Sequence, residues 1–97
     1  MNIPKLLEQA QEIQLRMDEE RSSLHVEATV GGGMVRIAMD GHKQVISVKI
    51  DPKAVDLDDL SLLEDLLVAG FNETSRKTDD KVRDRFGNVV SHLPPFF

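Results

Sequence analysis

Cysteine is absent from all 97 residues, which removes disulfides, thiol nucleophiles and thiolate metal sites together. No apolar run approaches the ~20 residues that span a bilayer. The opening segment, MNIPKLLEQAQEIQ, lacks the apolar core of a secretory signal. Together these absences make the cytoplasm the expected location, with no membrane partner. A basic excess of the kind nucleic-acid binders usually carry is also missing, since 12 Lys and Arg face 17 Asp and Glu for a net charge of −5. What is present, 40% hydrophobic and 30% charged residues, is the composition of a folded globular chain. At this length a single domain over residues 1–97 is expected, ending in a short apolar, Pro-containing tail from about residue 89.

The net charge hides a gradient. Residues 1–50 are close to neutral, residues 51–75 carry seven acids against one base, and residues 76–97 carry five bases against three acids. The mean charge is therefore a poor guide to any one surface.

Periodicity divides the chain. Asn2 is placed to cap a helix with Pro4 in its first turn. Ile3, Leu6, Ala10, Ile13 and Met17 then recur at helical spacing, predicting a helix over about 3–21, with Glu12 and Arg16 at a favourable i,i+4 spacing. From Leu24 the period is two. Leu24, Val26, Ala28 and Val30 form one strand face, and Val35, Ile37 and Met39 form another. In the third strand Gln44, Ile46, Val48 and Ile50 alternate with Lys43, Val45, Ser47 and Lys49. Three half-buried strands with tight turns predict an antiparallel meander. Asp51-Pro52 closes it. Asp56, Asp58 and Asp59 then open a second helix, whose stripe Leu60, Leu63, Leu67, Phe71, Thr78, Val82 and Phe86 runs to a stop at Gly87-Asn88. The fold class is α+β, in the order helix, three-stranded antiparallel meander, long helix (α-β-β-β-α).

The glycine cluster Gly31-Gly32-Gly33 invites a phosphate-loop reading, which its context rejects. No Lys-Ser or Lys-Thr follows at P-loop spacing, and position 36 is Arg at the start of a strand rather than a helix. The cluster is a hairpin turn. His25, His42 and His92 have no paired ligand spacing, so no metal and no catalytic residue is expected. The acid pairs Asp58-Asp59 and Glu64-Asp65 read as helix-start and solvated-face residues, and the sequon Asn72-Glu73-Thr74 falls mid-helix. An enzyme, a cofactor and a small-molecule substrate are accordingly not expected.

Arg76, Lys77, Lys81, Arg83 and Arg85 crowd the end of the second helix, with Lys77, Lys81 and Arg85 at i, i+4, i+8. Two readings stand. One is a salt-bridged solvated helix with Arg76–Asp80 and Asp79–Arg83 pairs. The other is an arm contacting the phosphates of duplex nucleic acid, since no aromatic interleaves the bases for single-strand stacking. The second helix, ~28 residues and ~42 Å long, also overreaches a three-stranded sheet with two open edges. A homodimer covering both is the expected remedy.

The assembled motifs resemble the YbaB/EbfC family of nucleoid-associated proteins. The resemblance rests on Gly33-Met34-Val35, Gly41, Val45…Val48, Ile50-Asp51-Pro52, Leu63-Glu64-Asp65-Leu66 with Asn72-Glu73, and Leu93-Pro94-Pro95, in that order across nearly the whole chain. Gly70 stands where the family usually has alanine, and the chain ends in Phe96-Phe97 without the common glycine. The resemblance implies a strand-mediated homodimer with projecting helices, binding double-stranded DNA with limited sequence preference in the nucleoid and contributing to nucleoid organisation and gene regulation. Charge and helical position, rather than the resemblance, nominate Arg16, Arg21, Arg76, Lys77, Lys81, Arg83 and Arg85 for DNA. In a strand-mediated dimer Met34, Val35, Ile37 and Met39 are the expected interface. The alternative is a protein-interaction or adaptor module without direct DNA binding, motivated by the acidic segment 51–75 and the apolar tail.

Overall fold

The structure, a computed structural model, describes residues 2–91, with side chains through Gly87. His92 and the tail Leu93-Pro94-Pro95-Phe96-Phe97 lie outside the described residues. In chain order the elements are α1 (Ile3–Ser23), β1 (Val26–Val30), β2 (Val35–Met39), β3 (Val45–Ile50), a 3-10 turn (Pro52–Ala54) and α2 (Ser61–Ser91). The strands form one antiparallel sheet in the order β1-β2-β3. The α-β-β-β-α order is the one the periodicity predicts.

Local chemistry sets the boundaries. The Asn2 side chain accepts from the Lys5 amide at 3.1 Å and starts α1, with Pro4 in the first turn where no N–H is needed. Gly31, Gly32 and Gly33 all take positive φ, a run that residues with a Cβ resist and that turns β1 back into β2. Asp51 accepts from the Lys53 amide and caps the 3-10 turn, while Asp59 accepts from the Ser61 amide at 3.0 Å and opens α2. The Ser61 hydroxyl first, and this amide bond second, hold the carboxyl pKa of Asp59 below its ordinary value.

Two sequence expectations shift. The helix does not stop at Gly87-Asn88: Gly87 has no positive φ, no left-handed cap forms, and α2 continues to Ser91. A glycine inside a helix costs only about 1 kcal/mol, too little to end one by itself. The second shift concerns β3. A register break between Ala38 and Met39 sets Ser47 opposite Ala38 and Val45 opposite Met39, leaving Ile46 unpaired across the ladder. The bulge moves Val45 onto the face it shares with Val48 and Ile50, breaking the simple alternation.

The core lies between the sheet and α2, which packs across β1 and β2. Val35, Ile37 and Met39 form its centre, covered by Val30, Leu63, Leu66, Leu67 and Phe71. Val35 and Ile37 are 0% exposed and Met39 5%. These three, expected at a dimer interface, are covered in this chain by its own α2. Met34 alone of that set is half-exposed. Thr74 and Thr78 are fully buried on α2 and donate to the carbonyls of Gly70 (2.7 Å) and Thr74 (2.8 Å), which satisfies their hydroxyls within the helix.

The molecule is a rod, 68 × 18 × 16 Å with a radius of gyration of 18.7 Å, against ~13 Å for a compact chain of 100 residues. No residue of α1 is buried. Its base is fixed to the sheet by the β2–β3 hairpin, where the Gly41 amide donates to the Arg21 carbonyl at 2.7 Å and the His42 ring meets the Asp18 carbonyl at 3.2 Å. A Cβ at position 41 would lie 2.7–2.9 Å from Arg21 main-chain and Cβ atoms, so only glycine permits this approach.

Candidate nucleic-acid interface

The rod places the C-terminal half of α1 against the C-terminal half of α2, and the nominated cations sit on this helical arm. Their surroundings differ sharply. Arg76 donates to Glu73 at 2.6 Å and to Asp80 at 3.0 Å, and Arg83 also pairs with Asp80. The Arg76 guanidinium pulls the Glu73 carboxyl below its ordinary pKa, and Glu73 in turn raises that of Arg76. These exposed pairs are individually weak in water, yet they cancel much of the field that Arg76 and Arg83 would project.

Lys77 is pinned rather than neutralised, its ammonium donating to the Glu27 carbonyl of β1 at 3.0 Å. Arg85 reaches across the arm to Glu20 of α1 at 3.5 Å. Arg21 stacks its guanidinium 5.5 Å from the Phe86 ring centroid, a cation–π contact that ties α1 to α2. Arg16 borders a hollow of about 190 Å³ lined also by Ile13, Met17, Glu20 and Phe86. Arg16 and Lys81 have no carboxylate within 4.0 Å among the described residues.

The i,i+4 stripe Lys77–Lys81–Arg85 thus resolves into three roles: an anchor to the sheet, a free cation, and a bridge between helices. Of the two pairs expected along α2, Arg76–Asp80 forms. Asp79 instead binds Lys43 of the hairpin at 2.7 Å, which leaves Arg83 to Asp80. Spacing along one helix could not reveal Lys43, which arrives from a distant turn. A local signal did exist, because Asp40-Gly41-His42-Lys43 is a tight-turn sequence, but not the side of the molecule it would meet. Among the described residues no group of three His, Asp or Glu side chains is placed to hold a metal, and no helix is long and apolar enough to cross a membrane.

Comparison with known proteins agrees with this architecture. A crystal structure of an uncharacterized Helicobacter pylori protein shares the fold with a TM-score of 0.78 at 18% identity, covering 93% of this chain and 98% of the other. A nucleoid-associated protein of Chloroflexus aurantiacus is 37% identical over the full length of both chains. One from Xanthomonas oryzae is 41% identical, covering 97% of this chain and 92% of its own. One from Pelotomaculum thermopropionicum is 34% identical, covering 95% and 90%. The model of the YbaB/EbfC DNA-binding family matches residues 1–93, and the chain belongs to that family.

Proposed function

We propose that this protein is a nucleoid-associated DNA-binding protein that holds duplex DNA as a homodimer with limited sequence preference. The observation that carries the reading is the match to a DNA-binding family over residues 1–93, supported by relatives named nucleoid-associated proteins at up to 41% identity. The geometry supplies a mechanism. An arm of two helices presents Arg16 and Lys81 to solvent, where they can contact phosphates and release counterions. Contacts of this kind go to the backbone, so grip on phosphates rather than sequence is the expected mode. Contributions to nucleoid organisation and gene regulation follow from coating or bridging DNA in this way.

The dimer reading rests on β3. Its outer edge is unpaired, and Val45, Val48 and Ile50 continue the α2-side apolar face beyond the part α2 covers, at 45%, 39% and 40% exposure. An open edge beside exposed valine and isoleucine is the surface a second copy would close. Met34, half-exposed, lies in the turn just before β2.

The test is fluorescence anisotropy on two duplexes of equal length and unrelated sequence, with the mass in solution measured on the same sample. Binding of both with similar affinity by a species of twice the chain mass is expected. Absence of binding at low salt, with a protein partner recovered instead, would favour an adaptor role.

A further inference from the structure

The β2–β3 hairpin, the last turn of α1 and the middle of α2 enclose an open cleft of about 420 Å³ lined by Arg21, Gly41, His42, Lys43, Asp79 and Arg83. Three permanent cations from three separate chain segments thus line one cleft, Lys43 paired with Asp79 and Arg83 with Asp80. Lys43 holds φ of +63°, a backbone state that residues other than glycine and asparagine avoid. The turn is fixed by Asp40, whose carboxylate accepts from the His42 amide at 2.8 Å and the Gln44 amide at 3.0 Å. Arg21 brings a second unusual feature, because its Nε is buried without a hydrogen-bond partner. Asp79 meets Lys43 at 2.7 Å, the place an anionic oxygen would take.

We propose that this cleft seats a backbone phosphate of duplex DNA, with Lys43 exchanging the Asp79 carboxylate, and Arg83 the Asp80 carboxylate, for phosphate oxygens beside Arg21. The inference rests on the DNA-binding reading above and adds to it a site outside the basic run of α2. An open cleft at the base of the arm that bears Arg16 and Lys81 suits a phosphate carried on a polymer passing along the surface. Asp79 sets the strength of the contact, because its negative charge must be displaced or tolerated whenever DNA is bound. The cleft therefore limits affinity as well as contributing to it.

The experiment compares Asp79→Asn, Asp65→Asn and Lys43→Gln with the wild type, by anisotropy on a duplex across a KCl series. Asp65 lies toward the other end of α2, so its variant makes the same charge change away from the cleft. Expected is about two- to five-fold tighter binding by Asp79→Asn, the size of one exposed ion pair, with a smaller change for Asp65→Asn. Such a gain cannot arise from a folding defect. Lys43→Gln should reduce the slope of log affinity against log salt by about one unit for each cleft engaged. Equal shifts for the two Asp variants, or an unchanged slope for Lys43→Gln, overturns the cleft while leaving DNA binding itself in place. Loss of wild-type binding at low salt would instead remove the underlying reading. Inorganic pyrophosphate titrated into wild-type protein provides the last arm: amide shifts at Gly41–Lys43 with pyrophosphate but none with duplex mark a free-anion site and overturn the assignment to DNA.

Discussion

Arg76 is clamped on both sides, by Glu73 at 2.6 Å and by Asp80 at 3.0 Å, so the first cation of the basic run is its most thoroughly neutralised. Lys81, one turn beyond, has no carboxylate in reach among the described residues. Charge count along the helix treats the two alike, and their surroundings separate them. Replacing Arg76 with Gln should leave the slope of log affinity against log salt near that of the wild type, since Glu73 and Asp80 already occupy its donors. Replacing Lys81 with Gln should weaken binding on all sequences alike and remove about one unit of salt slope per contact. Anisotropy on the two variants checks the order, and a larger loss for Arg76 would contradict it.

The same clamp gives a pH dependence. The pKa of Glu73 is lowered in the folded protein by its hydrogen bond to Arg76. A carboxylate with a depressed folded pKa adds stability above its unfolded value and loses it as pH falls through the folded one. Wild type should therefore melt above Glu73→Gln at neutral pH, and the gap should close as pH drops below the ordinary value of 4.5. Midpoints measured over a pH series settle the sign. A gap that widens on acidification would show that Glu73 acts through something other than its ion pair.

Gly41 controls how the arm joins the sheet. A Cβ there would press on main-chain atoms of Arg21, which cannot yield as a flexible side chain does. Gly41→Ala should cost about 1–3 kcal/mol, as other overpacked sites do. Denaturant titration measures the loss, and an unchanged midpoint would mean that the hairpin and α1 separate at little cost.

Element order, the glycine hairpin and the caps at Asn2 and Asp59 were legible in the sequence, because each depends on residues within a few positions of one another. The face of β3 was not. A bulge at Ala38/Met39 depends on pairing between strands, and period-two alternation carries no information about it. The burial of Val35, Ile37 and Met39 was readable, but which partner buries them was not, since α2 of the same chain and a strand of a second chain make equal demands on apolar side chains. Nomination by charge and helical position drew seven cations from α1 and α2. It could not show that Lys77 is held by Glu27 of β1, or that Lys43 arrives to take Asp79, because both contacts join segments far apart in the chain.

The exposed face of β3 makes a separate prediction. Val48→Asp places a charge in the middle of that face, outside the core that α2 covers. A dimer closed over β3 should dissociate, with sedimentation giving the mass of one chain while helix content stays near that of the wild type. Dimers of undiminished stability would move the interface elsewhere.

An electrostatic grip on duplex DNA by two projecting arms should show itself in the salt dependence of wild-type binding. With Arg16 and Lys81 on each of two protomers, log affinity should fall with log salt at a slope of about −3.6 or steeper, at roughly 0.9 per phosphate neutralised. Affinity that is flat across the salt series, or no binding at low salt, would contradict it.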